Sequence, residues 1–200
     1  MFDKMLQARL DPYWQAMAKP LVRCGVKADH VTWVAWGLGM AAALAIAHSA
    51  FLLGLVLVLV SRAADALDGA VARCSESSDR GGFLDIALDF WFYAAIPLAF
   101  AWAQPETNAL AAAALLASFM GPATSFLAFS TLMYKQGRDP LSTPNKSFYF
   151  LGGLTEGGET LAAFVAMCLW PQYFAHIAWV FTVLCVGTAV TRLHHGYRQL

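Results

Sequence analysis

Two hundred residues fit one domain, and only 13% of them are charged against 59% hydrophobic, which excludes an ordinary soluble globule and points to a helical membrane protein. The formal net charge is zero, so there is no broad basic field of the kind that binds nucleic acid. The four cysteines, Cys24, Cys74, Cys168 and Cys185, form no C-x-x-C pair and no zinc spacing, and are read as small packing residues.

Residues 1–30 are mixed. Phe2, Leu6, Leu10, Tyr13, Trp14, Met17 and Leu21 recur at helical spacing among Lys4, Arg9 and Lys19, the pattern of an amphipathic segment on a membrane surface. Asp11-Pro12 is expected to break it and to cap a second helix. The segment has no continuous apolar core, so no cleavable signal peptide is expected.

Six apolar segments follow, to be compared with the roughly 20 residues that cross about 30 Å of hydrocarbon. They run from Thr32 to Ala47, Phe51 to Ala72, Gly82 to Ala103, Asn108 to Met133, Ser147 to Trp170 and Tyr173 to Arg192. Pro122 is expected to kink the fourth. The expected architecture is therefore all-α: one membrane domain, a six-helix bundle over 32–192 behind a surface segment. All thirteen lysines and arginines fall in the N-terminal segment, at the second-to-third boundary, in the fourth-to-fifth link or at the C-terminal end, and none in the three opposite links. Positive charge favours the cytoplasmic side, which puts both termini in the cytoplasm.

The second and third segments carry DALDGAVARCSESSDRGGFLDIALD, from Asp65 to Asp89. Asp65 and Asp68 are three apart, Asp85 and Asp89 four apart, so each pair shares a helix face. The short polar loop from Cys74 to Arg80 makes the two helices antiparallel neighbours, with the pairs facing each other. A charge at mid-bilayer costs about 2.5–3.5 kcal/mol on insertion scales, less near the interface, and four like charges add repulsion. Divalent cations resolve the conflict. An all-carboxylate set favours Mg²⁺, Mn²⁺ or Ca²⁺ over zinc, and four acids can hold two ions that clamp a phosphoryl group. Gly69 and Ala72 keep the wall beside them low, Arg73 offers a forked donor set suited to phosphate, and Gly81-Gly82 lets the chain turn closely before the third helix. The bland alternative, aspartates that cap helix ends and stay solvated, suits one such residue better than four.

The stretch resembles the signature of the CDP-alcohol phosphotransferases, D-x-x-D-G-x-x-A-R followed by G-x-x-x-D-x-x-x-D. Asp65, Asp68, Gly69, Ala72, Arg73, Gly81, Asp85 and Asp89 match it, and seven residues between Arg73 and Gly81 make the gap one shorter than the family's. The resemblance implies a surface helix plus six spans, a homodimer and a bacterial inner-membrane location. It implies that Asp65, Asp68, Asp85 and Asp89 hold two divalent ions, Mg²⁺ or Mn²⁺. Asp89 would also be the base that deprotonates an acceptor alcohol for attack on the β-phosphorus of a CDP-alcohol such as CDP-diacylglycerol, with CMP leaving. Gly69, Ala72 and Arg73 would contact the cytidine diphosphate. Asp29 and Thr32, in KADHVT, stand where the family often has a P-N-x-x-T-like element and are weaker donor-site candidates.

Further along, Glu156 and Glu159 in LTEGGET lie within the fifth segment, and either line an acceptor pocket or pair with an arginine or a helix end. Lys135, Arg138 and Lys146 are either phosphate ligands or the positive-inside signal alone. Two other functions compete. An aspartate-rich prenyltransferase would want an acidic motif in each of two repeated halves, and this chain has one cluster and no repeat. A cation transporter would scatter its acids across spans at mid-depth and has no need of D-G-x-x-A-R.

Overall fold

The computed structural model describes residues 2–75, 78–137 and 155–199. The described chain is helical throughout, with no strand: α1 (Phe2–Arg23), α2 (Ala28–Ala47), α3 (Phe51–Cys74), α4 (Asp79–Ala103), α5 (Pro105–Lys135), α6 (Gly157–Leu169) and α7 (Phe174–Gln199), with a 3-10 turn at Pro171–Tyr173. Among the described residues, four stretches are long and apolar enough to cross a membrane: Ala28–Ala47, Asp79–Ala103, Pro105–Lys135 and Pro171–Arg198. α3 is equally long but carries Arg62, Asp65, Asp68 and Arg73, and the described part of the fifth segment is the 13-residue α6. The start of that segment, with Arg138 and Lys146, lies outside the described residues. Trp102, Leu110, Leu52 and Val183 are among many large apolar side chains left exposed, as expected of surfaces that face lipid.

α1 runs unbroken through Pro12 and Pro20, so the expected break at Asp11-Pro12 does not occur. Asp11 is not a cap. Its carboxylate accepts a hydrogen bond from Gln15 Nε2 at 2.7 Å and pairs with Arg73 Nη2 on α3, also at 2.7 Å. Packing holds the helix as well: Ala18 of α1 is buried against Ala70 and Val71 of α3. Proline sacrifices one backbone bond, and tertiary contact outweighs that local preference. Gly25, at φ +77°, makes the reversal into α2, a conformation in which a side chain is strained.

α2 packs along both α3 and α4, α5 pairs with α4 and α7, and α6 reaches back to α3. The expectation that α3 and α4 lie side by side is thereby modified: their closest packing partner is α2, and they meet chiefly through the side chains described below. At one end of the bundle the tight turns are pinned by a stack of rings, Phe51 on Phe100 at 5.7 Å and Phe100 on Phe174 at 4.6 Å between centroids. The acidic stretch sits at the other end. Halfway, Gly39 of α2 lets two neighbours close in, since a Cβ there would stand 2.6 Å from Phe92 Cδ2 and 3.1 Å from Ser61 Oγ. Gly39→Ala should therefore cost about 1–3 kcal/mol through overpacking, seen as a lower melting temperature in detergent.

Pro122 lies inside an unbroken α5, and its carbonyl accepts a hydrogen bond from Arg192 Nη1 on α7 at 3.1 Å.

Candidate metal centre and flanking cavities

The i, i+3 spacing on α3 turns Asp65 and Asp68 the same way, and α4 brings Asp85 to meet them. One carboxylate oxygen from each of Asp65, Asp68 and Asp85 lies within 4.8 Å of the other two. Oxygens bound at 2.0–2.1 Å around an octahedral Mg²⁺ are about 2.9 Å apart when adjacent and about 4.2 Å when opposite, so the three side chains draw inward to share an ion. Asp68 is buried, and its Oδ2 has no hydrogen-bond partner. An orphaned, buried carboxylate oxygen facing two other carboxylates is costly unless a cation joins them. The donor set is oxygen only, so a hard divalent ion fits.

Asp89 is placed differently. Its Oδ1 accepts from Arg62 Nη1 at 2.6 Å, and the same nitrogen stands 3.4 Å from Asp65 Oδ2. Arg62 is itself largely enclosed, with its side chain 11% exposed, and its guanidinium lies over the Phe92 ring at 4.0 Å. Arg62 did not emerge from the sequence reading. The available signal was its place three residues before Asp65, one helical turn away on the same face.

A cavity of about 670 Å³ opens beside the cluster. Asp68 and Asp85 form one wall, and Gly69, Ala72, Asp29 and Thr32 line it as well. Gly81 also belongs to the lining, but it lies within the first turn of α4 and not in a turn ahead of the helix. Ser78 caps that turn, accepting from the Gly81 N–H at 3.0 Å. A Cβ on Gly81 would stand 3.1 Å from Asp29 Oδ1, so this glycine lets the start of α2 and the start of α4 close around the cavity. Arg73 is not in the lining. It is exposed and tied to Asp11, although one of its guanidinium nitrogens would be 3.3 Å from a Cβ on Gly69 at the rim.

A second cavity, about 410 Å³, lies further along α4. Phe90, Tyr93, Phe119 and Phe126 form its apolar wall, and Glu156 and Arg192 its charged part. Tyr93 links the two regions, because its ring is 5.9 Å from the Arg62 guanidinium. Glu156 caps α6, and Glu159 accepts from the Glu156 backbone N–H at 3.1 Å, so Glu159 serves the helix start rather than the cavity. Lys135 is exposed at the end of α5 and lines neither cavity. Arg192, absent from the sequence-derived candidates, enters through the pairing of α5 with α7.

The fold is shared with a solved synthase. The chain superimposes on the crystal structure of Mycobacterium tuberculosis phosphatidylinositol phosphate synthase (PgsA1) with CDP-DAG bound, with a TM-score of 0.71 and 22% identity over 92% of this chain and 93% of that one. It matches the same enzyme in complex with manganese and citrate equally well, over 92% of this chain and 88% of that one. No protein-family model matches the sequence. The chain is 46% identical over 200 residues to inner membrane protein YnjF of Escherichia coli (strain K12), spanning all of this chain and 97% of that protein, and it belongs to the YnjF family. Together with its apolar helices, this kinship makes it a multi-pass membrane protein.

Proposed function

We propose that this protein is a divalent-metal-dependent CDP-alcohol phosphotransferase. It moves a substituted phosphate from a CDP-alcohol, with CDP-diacylglycerol as the leading donor, to an acceptor alcohol. The observation that carries the reading is the convergence of Asp65, Asp68 and Asp85, the last two in the wall of a cavity edged by Gly69, Ala72 and Gly81. The likeness in fold to an enzyme solved with CDP-DAG, and with manganese, supports it.

In this reading Asp65, Asp68 and Asp85 hold Mg²⁺ or Mn²⁺, which supplies positive charge to offset the diphosphate and the departing CMP. Gly69 and Ala72 leave room for the nucleotide diphosphate, with Asp29 and Thr32 across the cavity from them. Arg73 reaches the diphosphate from the rim by exchanging its pairing with Asp11. Asp89 takes the proton of the acceptor hydroxyl. That oxygen bonds to the β-phosphorus, the bond from this phosphorus to the bridging oxygen breaks, and CMP carries the electron pair away. Holding hydroxyl and phosphorus in line contributes by lowering the entropic cost of their meeting. The cavity beyond Tyr93 receives the acceptor, with Glu156 as a hydroxyl partner.

The proposed topology is six crossings, α2 through α7 with the residues preceding α6 completing the fifth, and α1 on the cytoplasmic surface. The confinement of lysine and arginine to one set of ends supports it, with both termini in the cytoplasm of a bacterial inner membrane. A homodimer belongs to the same proposal.

The test is CMP release from CDP-diacylglycerol in mixed micelles. With Mn²⁺ or Mg²⁺ the purified protein should bind the donor and release CMP when offered a pool of candidate alcohols, and EDTA should stop it. A folded, metal-loaded preparation that binds no cytidine nucleotide would end the proposal.

A further inference from the structure

The cavity of about 410 Å³ begins where the acidic stretch ends. Phe90 follows Asp89 directly and Tyr93 is one helical turn beyond it on α4, so a molecule in the cavity can present one end to Asp89. Four aromatic side chains wall the space, Phe90 and Tyr93 from α4 and Phe119 and Phe126 from α5. Its polar groups are already engaged. The Thr155 hydroxyl donates to Thr188 Oγ1 at 3.0 Å, and the Thr160 hydroxyl donates to the Glu156 carbonyl at 2.9 Å. Arg192 donates to the Pro122 carbonyl and stands close enough to Glu156 for their charges to attract. The described lining thus carries one charge of each sign, set against each other.

We infer that this cavity selects an uncharged alcohol with an apolar body, and that phosphorylated and many-hydroxyl alcohols are poor acceptors. The inference rests on the transferase reading for the reaction, though not for the binding. A polyol sheds its hydration on entering such a space, and threonine hydroxyls bonded elsewhere do not replace it. A phosphate monoester brings a charge of about −1.5 to −2 at pH 7. It would meet a single arginine that already faces a carboxylate, whereas phosphate is held well by several charge-assisted donors. An apolar body instead gains by leaving water for the aromatic wall. The Glu156 carboxylate has lone pairs enough to accept from one ligand hydroxyl besides its present partners, which fixes the far end of the molecule. The volume is that of an ordinary small-molecule site, so the body can be a ring or a chain of moderate length.

The experiment offers the purified protein CDP-diacylglycerol and Mn²⁺ with one acceptor at a time: 2-phenylethanol, decanol, glycerol, inositol or glycerol 3-phosphate. CMP release, as kcat/KM for the acceptor, should be at least about 100-fold greater with the first two than with the other three. Ala123 lines the cavity, and Ala123→Phe, which adds a ring to its wall, should raise the KM for decanol at least about tenfold at unchanged donor KM. A second readout needs no turnover. A decanol bearing a diazirine, photolysed without donor, should label the chain within 119–126 or 155–160, and excess decanol should suppress the labelling while glycerol 3-phosphate should not. Efficient turnover of glycerol 3-phosphate or inositol overturns the inference. So does labelling that decanol fails to suppress, or that glycerol 3-phosphate suppresses equally well. Should Ala123→Phe fail to fold, the wild-type acceptor series and the labelling decide it. Suppressible labelling of the cavity without CMP release from any alcohol keeps the cavity's preference and removes the transferase.

Discussion

Asp68→Asn should lower CMP release by at least about 10⁴-fold and weaken Mn²⁺ binding by at least about 100-fold, while leaving the fold intact. Asp68 is the most buried of the three clustered carboxylates, and its Oδ2 has no partner within the protein. An amide oxygen can still approach a cation, but it brings no charge, and in a partly dry site a missing unit charge has a large effect. Preorganised charge at a developing leaving group is often the largest single contribution to an enzyme's rate. Stability should move the other way. Asp68→Asn relieves repulsion among Asp65, Asp68 and Asp85, so in EDTA the variant should be as stable as wild type or more so, by about 1 kcal/mol. With saturating Mn²⁺ the order should reverse, since wild type alone gains from tight binding. A protein whose aspartates merely cap helices would lose stability in both conditions. Melting curves with and without Mn²⁺, set beside the CMP assay, separate the cases.

This centre was legible in the sequence because its geometry is local. Intervals of three and four residues on long apolar helices dictate which carboxylates share a face, and a short polar link dictates that the two helices return to the same end. Asp29 and Thr32 line the same cavity, at the start of a span that begins at that end, but only the family resemblance pointed to them. What could not be read is non-local. Asp11 and Arg73 pair across 62 positions, and no periodicity links them. α1 continues past Pro12 because α3 supports it through Ala18, Ala70 and Val71, and a rule about proline knows nothing of that partner. The insertion of α2 against both acid-bearing helices leaves no local trace either, although Gly39, the residue that permits it, is visible. Arg62 is intermediate. Its spacing from Asp65 was in plain view, but its bond to Asp89 depends on how α3 and α4 are offset.

Asp89→Asn should reduce CMP release about 10³-fold with the donor still bound, a loss in kcat rather than in KM. General base catalysis contributes about 10²–10⁴-fold, and the asparagine amide cannot accept the acceptor's proton. The geometry makes this variant cleaner than Asp68→Asn. Asp89 lies outside the three-oxygen group, it is absent from the lining of the nucleotide-sized cavity, and its Oδ1 is engaged by Arg62, which leaves Oδ2 as the oxygen to receive a proton. Asparagine can still accept from Arg62 through its amide oxygen, so the guanidinium is not left wholly unpaired, and Asp65 remains 3.4 Å from the same nitrogen. The acceptor hydroxyl loses its proton as it approaches the cation and the diphosphate, which requires the Asp89 carboxylate at the right distance. Asp89→Glu tests that requirement. It restores a carboxylate but moves it by one methylene, and misplacement on the scale of 1 Å can cost about 10²-fold. The expected order of kcat is therefore wild type, then Asp89→Glu, then Asp89→Asn, at nearly constant donor KM. Full turnover in Asp89→Asn would assign the proton to another group and leave the Arg62–Asp89 pair a purely structural contact.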